Sequence, residues 1–317
     1  MIKYLLIVLL MLIPLSAVNA QPAAPTRPPL DDTPFEDRVY EVFVPEREDD
    51  DDSLMPLLFV LHGASGSGHG TREWLGFDEP AQAAGFIVVY PTGIANNWDF
   101  GGGIRTQQGI ILSDDVSYLV WLAEQLADEY PVDTTRIYAT GMSNGAQMAY
   151  YLACQAPETF AAVAGVAAPL SGSTATRCAT TPISVLMING TLDRILLWQP
   201  QTTADGRVIS LGTLGTVEFW AQRSQCNVED DALVVDELPD TDPDDASTVR
   251  HIALNECENG TNVQFYGVIG GGHTWPGHPL DIELDLGPTN MDIDATALII
   301  DWLQALPAPD TAVTASD

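Results

Sequence analysis

The segment Gly141-Met142-Ser143-Asn144-Gly145 is the part of this chain best equipped for nucleophilic chemistry. A serine hydroxyl is a weak nucleophile at neutral pH. It needs a base within hydrogen-bond reach, and the base needs a third group to orient it. Arg136 to Thr140 reads as a strand running into the five residues, and a helix leaves them from about Asn144 to Ala156. A sharp strand-to-helix turn strains the serine backbone and lifts its hydroxyl above the sheet. Glycines are required on both sides, because a side chain there would strike a neighbouring strand or helix. The departing helix also aims its first N–H groups at the serine and favours negative charge there.

Chain order then points to the partners. In such an arrangement the acid follows a later strand and the histidine follows the last one. Ile183 to Ile188 reads as a strand and leads into Asn189-Gly190-Thr191-Leu192-Asp193. Val263 to Ile269 reads as the last strand and leads into Gly270-Gly271-Gly272-His273. Ser143, Asp193 and His273 are therefore the expected nucleophile, orienting acid and general base, at carboxyl ends of strands where open α/β sheets place their sites. The three glycines are expected to let the His273 loop approach the serine. His278, His251 and His69 are rival bases, and Asp115 and the acidic loop around Asp242 are rival acids, but none has the strand-end position.

Acyl transfer also develops an oxyanion that needs two N–H donors. One is expected from the Asn144 amide. The other is expected from the loop His62-Gly63-Ala64-Ser65-Gly66-Ser67-Gly68, at Ala64 or, failing that, Ser65. Trp98 and Trp275 are candidate stacking surfaces for substrate. No phosphate-binding loop, nicotinamide-type glycine fingerprint or zinc spacing is present in the sequence, so no cofactor or metal is expected. The acidic stretch Pro239 to Asp245 lacks the glycine and terminal glutamate of an EF-hand and reads as a solvated loop.

The elements that must position these residues alternate. Val39 to Val44 reads as an edge strand, while Leu57 to Leu61 and Phe86 to Tyr90 are continuous apolar runs of strands buried on both faces. Asp114 to Tyr130 has helical spacing, with Ser113 as the expected N-cap. Phe160 to Ala167 adds a strand, and Gly212 to Arg223 and Asp292 to Ala305 add helices. Leu233 to Asn255 interrupts the pattern. The order implies an α/β fold, with a mostly parallel central sheet and helices on both faces. About fifteen residues separate Ala167 from Ile183, too few for a large lid domain.

Around that core, residues 1–20 read as a secretory signal peptide, with Lys3 before a short apolar run and small residues up to Ala20. Residues 21–35 read as a Pro-rich linker, 36–306 as the catalytic domain and 307–317 as a flexible tail. Export makes an oxidising compartment the expected destination, extracellular or periplasmic, with no membrane association after cleavage. Four cysteines allow three pairings, and proximity favours Cys154 with Cys178 and Cys226 with Cys257. The formal net charge is −32, and Lys3 is the only lysine. Such a surface repels nucleic acid and anionic polymers and suits a neutral substrate.

Gly141 to Gly145 and Gly271-Gly272-His273-Thr274-Trp275-Pro276-Gly277 together resemble the esterase/polyhydroxybutyrate depolymerase family. That family overlaps the feruloyl and acetyl-xylan esterases of carbohydrate esterase family 1. Tyr90-Pro91-Thr92-Gly93, Asp114-Asp115-Val116, Val132 to Thr140 and Asn189 to Asp193 match as well, and the resemblance spans about Tyr40 to Leu303. Cys226 and Cys257 stand where the family usually has a cysteine pair. Three departures are visible: Ala146 replaces a usual glycine, Asn189 replaces a common histidine, and a frequent cysteine or glutamine is missing after His62-Gly63. The resemblance implies a serine ester hydrolase acting on a neutral, often polymeric ester, either acyl groups on plant polysaccharide or short-chain polyhydroxyalkanoate. A non-catalytic binding scaffold or an acyltransferase with the same triad are the alternatives.

Overall fold

The computed structural model describes residues 34–48, 52–107, 109–229, 232–280 and 284–307. The expected signal peptide, all but the last two residues of the linker, and the tail beyond residue 307 lie outside them. The linker boundary moves slightly, because Phe35 already packs on Tyr118 and Trp121 at ring separations of 5.8 and 5.9 Å.

Along the chain, β1 (Tyr40–Phe43) and β2 (Met55–Leu61) precede α1 (Gly68–Leu75) and α2 (Asp78–Ala84). Next come β3 (Ile87–Pro91), the short hairpin β4 (Ile104–Thr106) and β5 (Gly109–Ile111), and α3 (Asp115–Glu129). The site-bearing stretch is β6 (Val132–Met142), α4 (Asn144–Gln155), β7 (Ala162–Val166), α5 (Gly172–Ala175) and β8 (Ser184–Gly190). A second hairpin, β9 (Gln201–Thr202) and β10 (Val208–Ser210), leads to α6 (Gly212–Arg223). The chain then forms β11 (Leu233–Glu237), β12 (Thr248–Leu254), β13 (Val263–Ile269) and α7 (Ala295–Ala305).

Nine strands form one sheet in the order β1-β3-β2-β6-β7-β8-β13-β12-β11. The six from β3 to β13 are parallel neighbours, and β1, β12 and β11 join antiparallel at the edges. Every residue of β2, β3, β7 and β8 is buried, as the apolar runs of β2 and β3 require of strands covered on both faces. Alternate residues feed two cores. Leu57, Phe59 and Val185 meet Tyr118 and Leu122 of α3, Ala149 and Leu152 of α4 and Trp220 of α6. Leu58, Val60 and Leu186 meet Leu75 of α1, Ala81 of α2 and Ile299 and Leu303 of α7. The period-two alternation of strand side chains thus produces the helix-covered faces that define the α/β-hydrolase fold. Only α5 occupies the span between β7 and β8, and no large lid interrupts it.

Two local readings differ. The N-cap of α3 is Asp114, whose carboxylate accepts from the Ser117 N–H; Ser113 instead donates its hydroxyl to Asp115 at 2.8 Å. The interruption at 233–255 is an antiparallel hairpin, β11 and β12, that widens the sheet. Its acidic connection is tied down by Asp292, which accepts from the N–H groups of Thr241 and Asp242. The cysteines pair by proximity, Cys154 with Cys178 and Cys226 with Cys257.

Candidate active site

Register sets the geometry. Met142 lies beside Val166, Val166 beside Ile188 and Ile188 beside Tyr266, so β6, β7, β8 and β13 end at one level. Leu61 lies beside Gly141, which brings the end of β2 to the same rim. Ser143, Asp193, His273 and the loop after β2 therefore share the carboxyl edge of the sheet, where their strands deliver them.

Ser143 sits between β6 and α4 at φ 56° and ψ −116°. A non-glycine residue there is strained, and the surroundings must hold it in place. Its amide donates to Val166 O at 2.9 Å, and its hydroxyl makes no capping bond to α4, so the hydroxyl is uncommitted to the helix. A Cβ on Gly141 would lie 2.5 Å from Leu61 O, and one on Gly145 would fall on the same carbonyl. Both flanking residues must be glycine because β6 and α4 pass that close to β2. Ala146 is fully buried, so the departure at that position is absorbed in the core.

Asp193 and His273 are brought together. Asp193 Oδ2 accepts from His273 Nδ1 at 2.7 Å, and both side chains are almost wholly buried. Asp193 Oδ1 accepts from the N–H groups of Ile195 and Leu196, each at 2.8 Å. With Nδ1 donating to the carboxylate, the other ring nitrogen, Nε2, is free to accept a proton. The parallel pairing of β8 and β13 makes this contact, and the two loops are sewn to each other. Thr191 N–H donates to Val268 O, Leu192 N–H to Gly271 O, and Gly270 N–H to the Thr191 hydroxyl. The close approach of the glycine run is to this acid turn and to residues 286–288: a Cβ on Gly272 would lie 2.7 Å from Gly287 Cα.

The loop after β2 is equally specific. Ser65 N–H is spent on Asn96 O at 2.8 Å, which removes Ser65 as an oxyanion donor. Ala64 sits at an exposed turn between this bond and Gly63, whose carbonyl accepts from Gly66 N–H. The buried His62 ring accepts from Gly93 N–H at Nε2 (2.9 Å) and meets Gly63 O at Nδ1 (2.7 Å). A backbone N–H is only a donor, so Nε2 carries no proton and Nδ1–H donates to Gly63 O. The neutral tautomer follows. Burial holds this imidazole below the usual histidine range, and the Arg38 charge acts the same way.

The tryptophans correct the sequence reading. Trp98 is 2% exposed and Trp275 is fully buried, so neither offers a stacking face to a ligand. Trp98 Nε1 donates to His62 O at 3.0 Å, and Trp275 packs on Phe77 and donates to the Thr296 hydroxyl. A tryptophan buries a large apolar area and needs one partner for its N–H; both positions supply it. The apolar surface beside Asp193 comes from residues the sequence reading passed over. Leu192, Ile195 and Leu197 are 52%, 46% and 42% exposed.

The rival groups are otherwise engaged. His278 meets Trp74 O and Asp294, His251 stacks on Tyr266 and meets Gln264, and His69 pairs with Glu41 at the surface. Asp115 is buried against Arg38 at 2.7 Å and accepts from Asp99 N–H.

Comparison with known proteins agrees with this architecture. The prolyl oligopeptidase family model matches residues 79–202. The putative esterase NocK of Nocardia uniformis subsp. tsuyamanensis is 30% identical over 255 residues, covering 78% of this chain and 74% of that one. A probable feruloyl esterase C of Aspergillus niger is 31% identical over 169 residues; the chain spans about half of its length, 56%. Among solved structures, acetyl xylan esterase from Aspergillus awamori superposes with a TM-score of 0.50 at 18% identity, covering 75% of this chain and 89% of that one, a likeness of fold. With the extent of the Nocardia match added to a hydrolase sheet whose rim carries these loops, the chain belongs to the esterase family of the α/β-hydrolases and is a carboxylic ester hydrolase.

Proposed function

We propose that this enzyme cleaves esters through Ser143, His273 and Asp193, and that it acts on feruloyl- or acetyl-type esters of plant polysaccharide or on short-chain polyhydroxyalkanoate. The observation that carries the mechanism is the buried pair of Asp193 and His273 at the strand edge that also bears the strained Ser143. Ser143 Oγ attacks the ester carbonyl while His273 Nε2 takes its proton. Asp193 stabilises the imidazolium, and the N–H groups of Asn144 and Ala64 hold the oxyanion. The imidazolium returns the proton to the leaving alcohol. Water, deprotonated in turn by His273, then attacks the acyl-enzyme, and the imidazolium returns that proton to Ser143 Oγ as the acid leaves.

The substrate class draws support from three sides. The similar proteins include ones named feruloyl esterase and acetyl xylan esterase. The exposed Leu192, Ile195 and Leu197 put apolar surface beside Asp193, which suits an aryl or acyl group. A net charge of −32 suits a neutral ester over an anionic one. Export into an oxidising compartment belongs to the same reading and is supported by the two disulfides.

The test is a panel of methyl ferulate, acetylated xylan and a polyhydroxyalkanoate film, with a prolyl anilide as a peptide-type control. Turnover of at least one ester, with labelling of Ser143 by a fluorophosphonate, is expected. A wild-type enzyme that resists the label, or hydrolyses only the anilide, would overturn the reading.

A further inference from the structure

The proposed oxyanion pocket draws its two donors from different elements, Asn144 N–H at the start of α4 and Ala64 N–H in the loop after β2. A single segment, residues 93–98 between β3 and β4, is bonded to both. Toward the loop it makes four hydrogen bonds. Gly93 N–H donates to His62 Nε2 at 2.9 Å, and Ser65 N–H donates to Asn96 O at 2.8 Å. Asn96 Nδ2 donates to Gly66 O at 2.6 Å, and Trp98 Nε1 donates to His62 O at 3.0 Å. Toward the helix it makes two, both to one side chain. Trp98 N–H donates to Asn144 Oδ1 at 2.7 Å, and Asn144 Nδ2 donates to Trp98 O at 3.1 Å.

We infer that the Asn144 carboxamide is a positioning residue for the oxyanion pocket, acting through Trp98 to fix the loop after β2 relative to the N-terminus of α4. The inference rests on the oxyanion assignment above and assigns the side chain a task separate from that of its own amide. Both polar atoms of the carboxamide are consumed by one residue's backbone, a pairing that only a carboxamide completes, because it needs an acceptor and a donor side by side. A carboxylate keeps the acceptor and loses the donor. The bracket is itself anchored: Ala95 and Asn96 hold positive φ of 50° and 57°, and the next residue but two, Asp99, donates its N–H to the buried Asp115 at 2.6 Å. Oxyanion donors act only when they are held where charge develops, so losing this clamp should cost transition-state binding and leave ground-state binding largely intact.

The experiment measures kcat and KM on p-nitrophenyl acetate, inhibition by phenylboronic acid and thermal midpoint for Asn144→Ala, Asn144→Asp, Trp98→Phe and Asn144→Ala with Trp98→Phe combined. Phenylboronic acid forms an Oγ–B bond, passes the serine proton to the imidazole and presents a boron-bound oxygen to the oxyanion pocket. The expected result for Asn144→Ala is a fall in kcat of at least about tenfold, a comparable loss of boronate affinity and a KM within about threefold. Trp98→Phe removes the Nε1 bond to His62 and should move the same quantities less. The double variant should fall short of the product of the single losses, because both act through one bracket. Asn144→Asp, which retains the shape, answers the question where Asn144→Ala fails to fold. Unchanged boronate affinity in a folded variant, or strictly multiplicative losses, overturns the proposal. If wild-type enzyme itself resists fluorophosphonate, the triad reading has failed instead, so the two failures are distinguishable.

Discussion

Asp193 Oδ2 and His273 Nδ1 stand 2.7 Å apart in a buried contact, while the other carboxylate oxygen is held by two backbone N–H groups. The imidazole is thereby fixed in one tautomer, with Nε2 left to accept a proton. Asp193→Asn keeps the shape but turns a donor toward Nδ1 and favours the other tautomer. Its kcat should fall by about 10⁴-fold on p-nitrophenyl acetate with KM little changed. Ser143→Ala should fall further, by about 10⁵–10⁶-fold, and should not label with fluorophosphonate. Undiminished turnover in either variant would rule out the proposed triad.

Gly145 lies against the Leu61 carbonyl, a backbone atom with no room to rotate aside. Gly145→Ala must therefore push α4 away from β2. A loss of about 1–3 kcal/mol in unfolding free energy is expected, together with reduced turnover, since the same helix carries Asn144. Urea unfolding followed by tryptophan fluorescence measures the first. A variant as stable as wild type would mean that the helix and strand are looser than the structure has them.

His62 carries a pH signature. Its folded pKa lies below the ordinary value of 6.5 because of burial, so the unfolded chain takes up the proton first. The stability contribution is complete above about pH 6.5 and is lost as pH falls toward the folded value. Protonation would place an N–H at Nε2 directly against the Gly93 N–H. Unfolding free energy measured at pH 7.5, 6.5 and 5.5 should decline more steeply in wild type than in His62→Gln. Parallel curves would remove His62 as the cause.

The charge imbalance predicts a response to salt. Against 44 acidic residues stand 12 basic ones, and their mutual repulsion acts against the compact state. The Debye length shrinks to about 3 Å at 1 M salt, which screens that repulsion. The thermal midpoint should rise between 0.05 and 1 M sodium chloride, and choline chloride should act alike. A midpoint that falls with both salts would contradict this account.

Reduction should weaken the fold measurably. Cys154–Cys178 and Cys226–Cys257 close loops with separations of 24 and 31 residues. Chain-entropy arguments assign about 3.5 kcal/mol to each closure. Dithiothreitol should accordingly lower the thermal midpoint, and replacing Cys226 and Cys257 together by alanine should reproduce part of the shift.

The portions of this architecture that were legible beforehand are those a local pattern encodes. Continuous apolar runs mark β2 and β3 because both of their faces are covered, and the glycine-flanked serine marks the turn after β6. The strand-end positions of Asp193 and His273 were legible because chain order places them after β8 and β13. What stayed hidden depends on partners remote in sequence. The His62 ring and the Asn144 carboxamide bond to backbone atoms of residues 93 and 98, and no spacing announces a backbone partner. Trp98 and Trp275 misled because an indole suits a core and a binding face equally, and only the position of its N–H partner decides. The hairpins β4–β5 and β9–β10 are too short and exposed for alternation to stand out.

The pairing of β8 with β13 has a consequence for how activity arises during synthesis. The elbow at residue 143 can be completed by strands that precede it or soon follow, yet its proposed base arrives 130 positions later and is seated only when β13 inserts between β8 and β12. A chain halted on the ribosome before that insertion would own a nucleophile without a proton acceptor. Recovery of ester cleavage after dilution from urea should therefore wait on the seating of β13 beside β8 and not on the elbow alone.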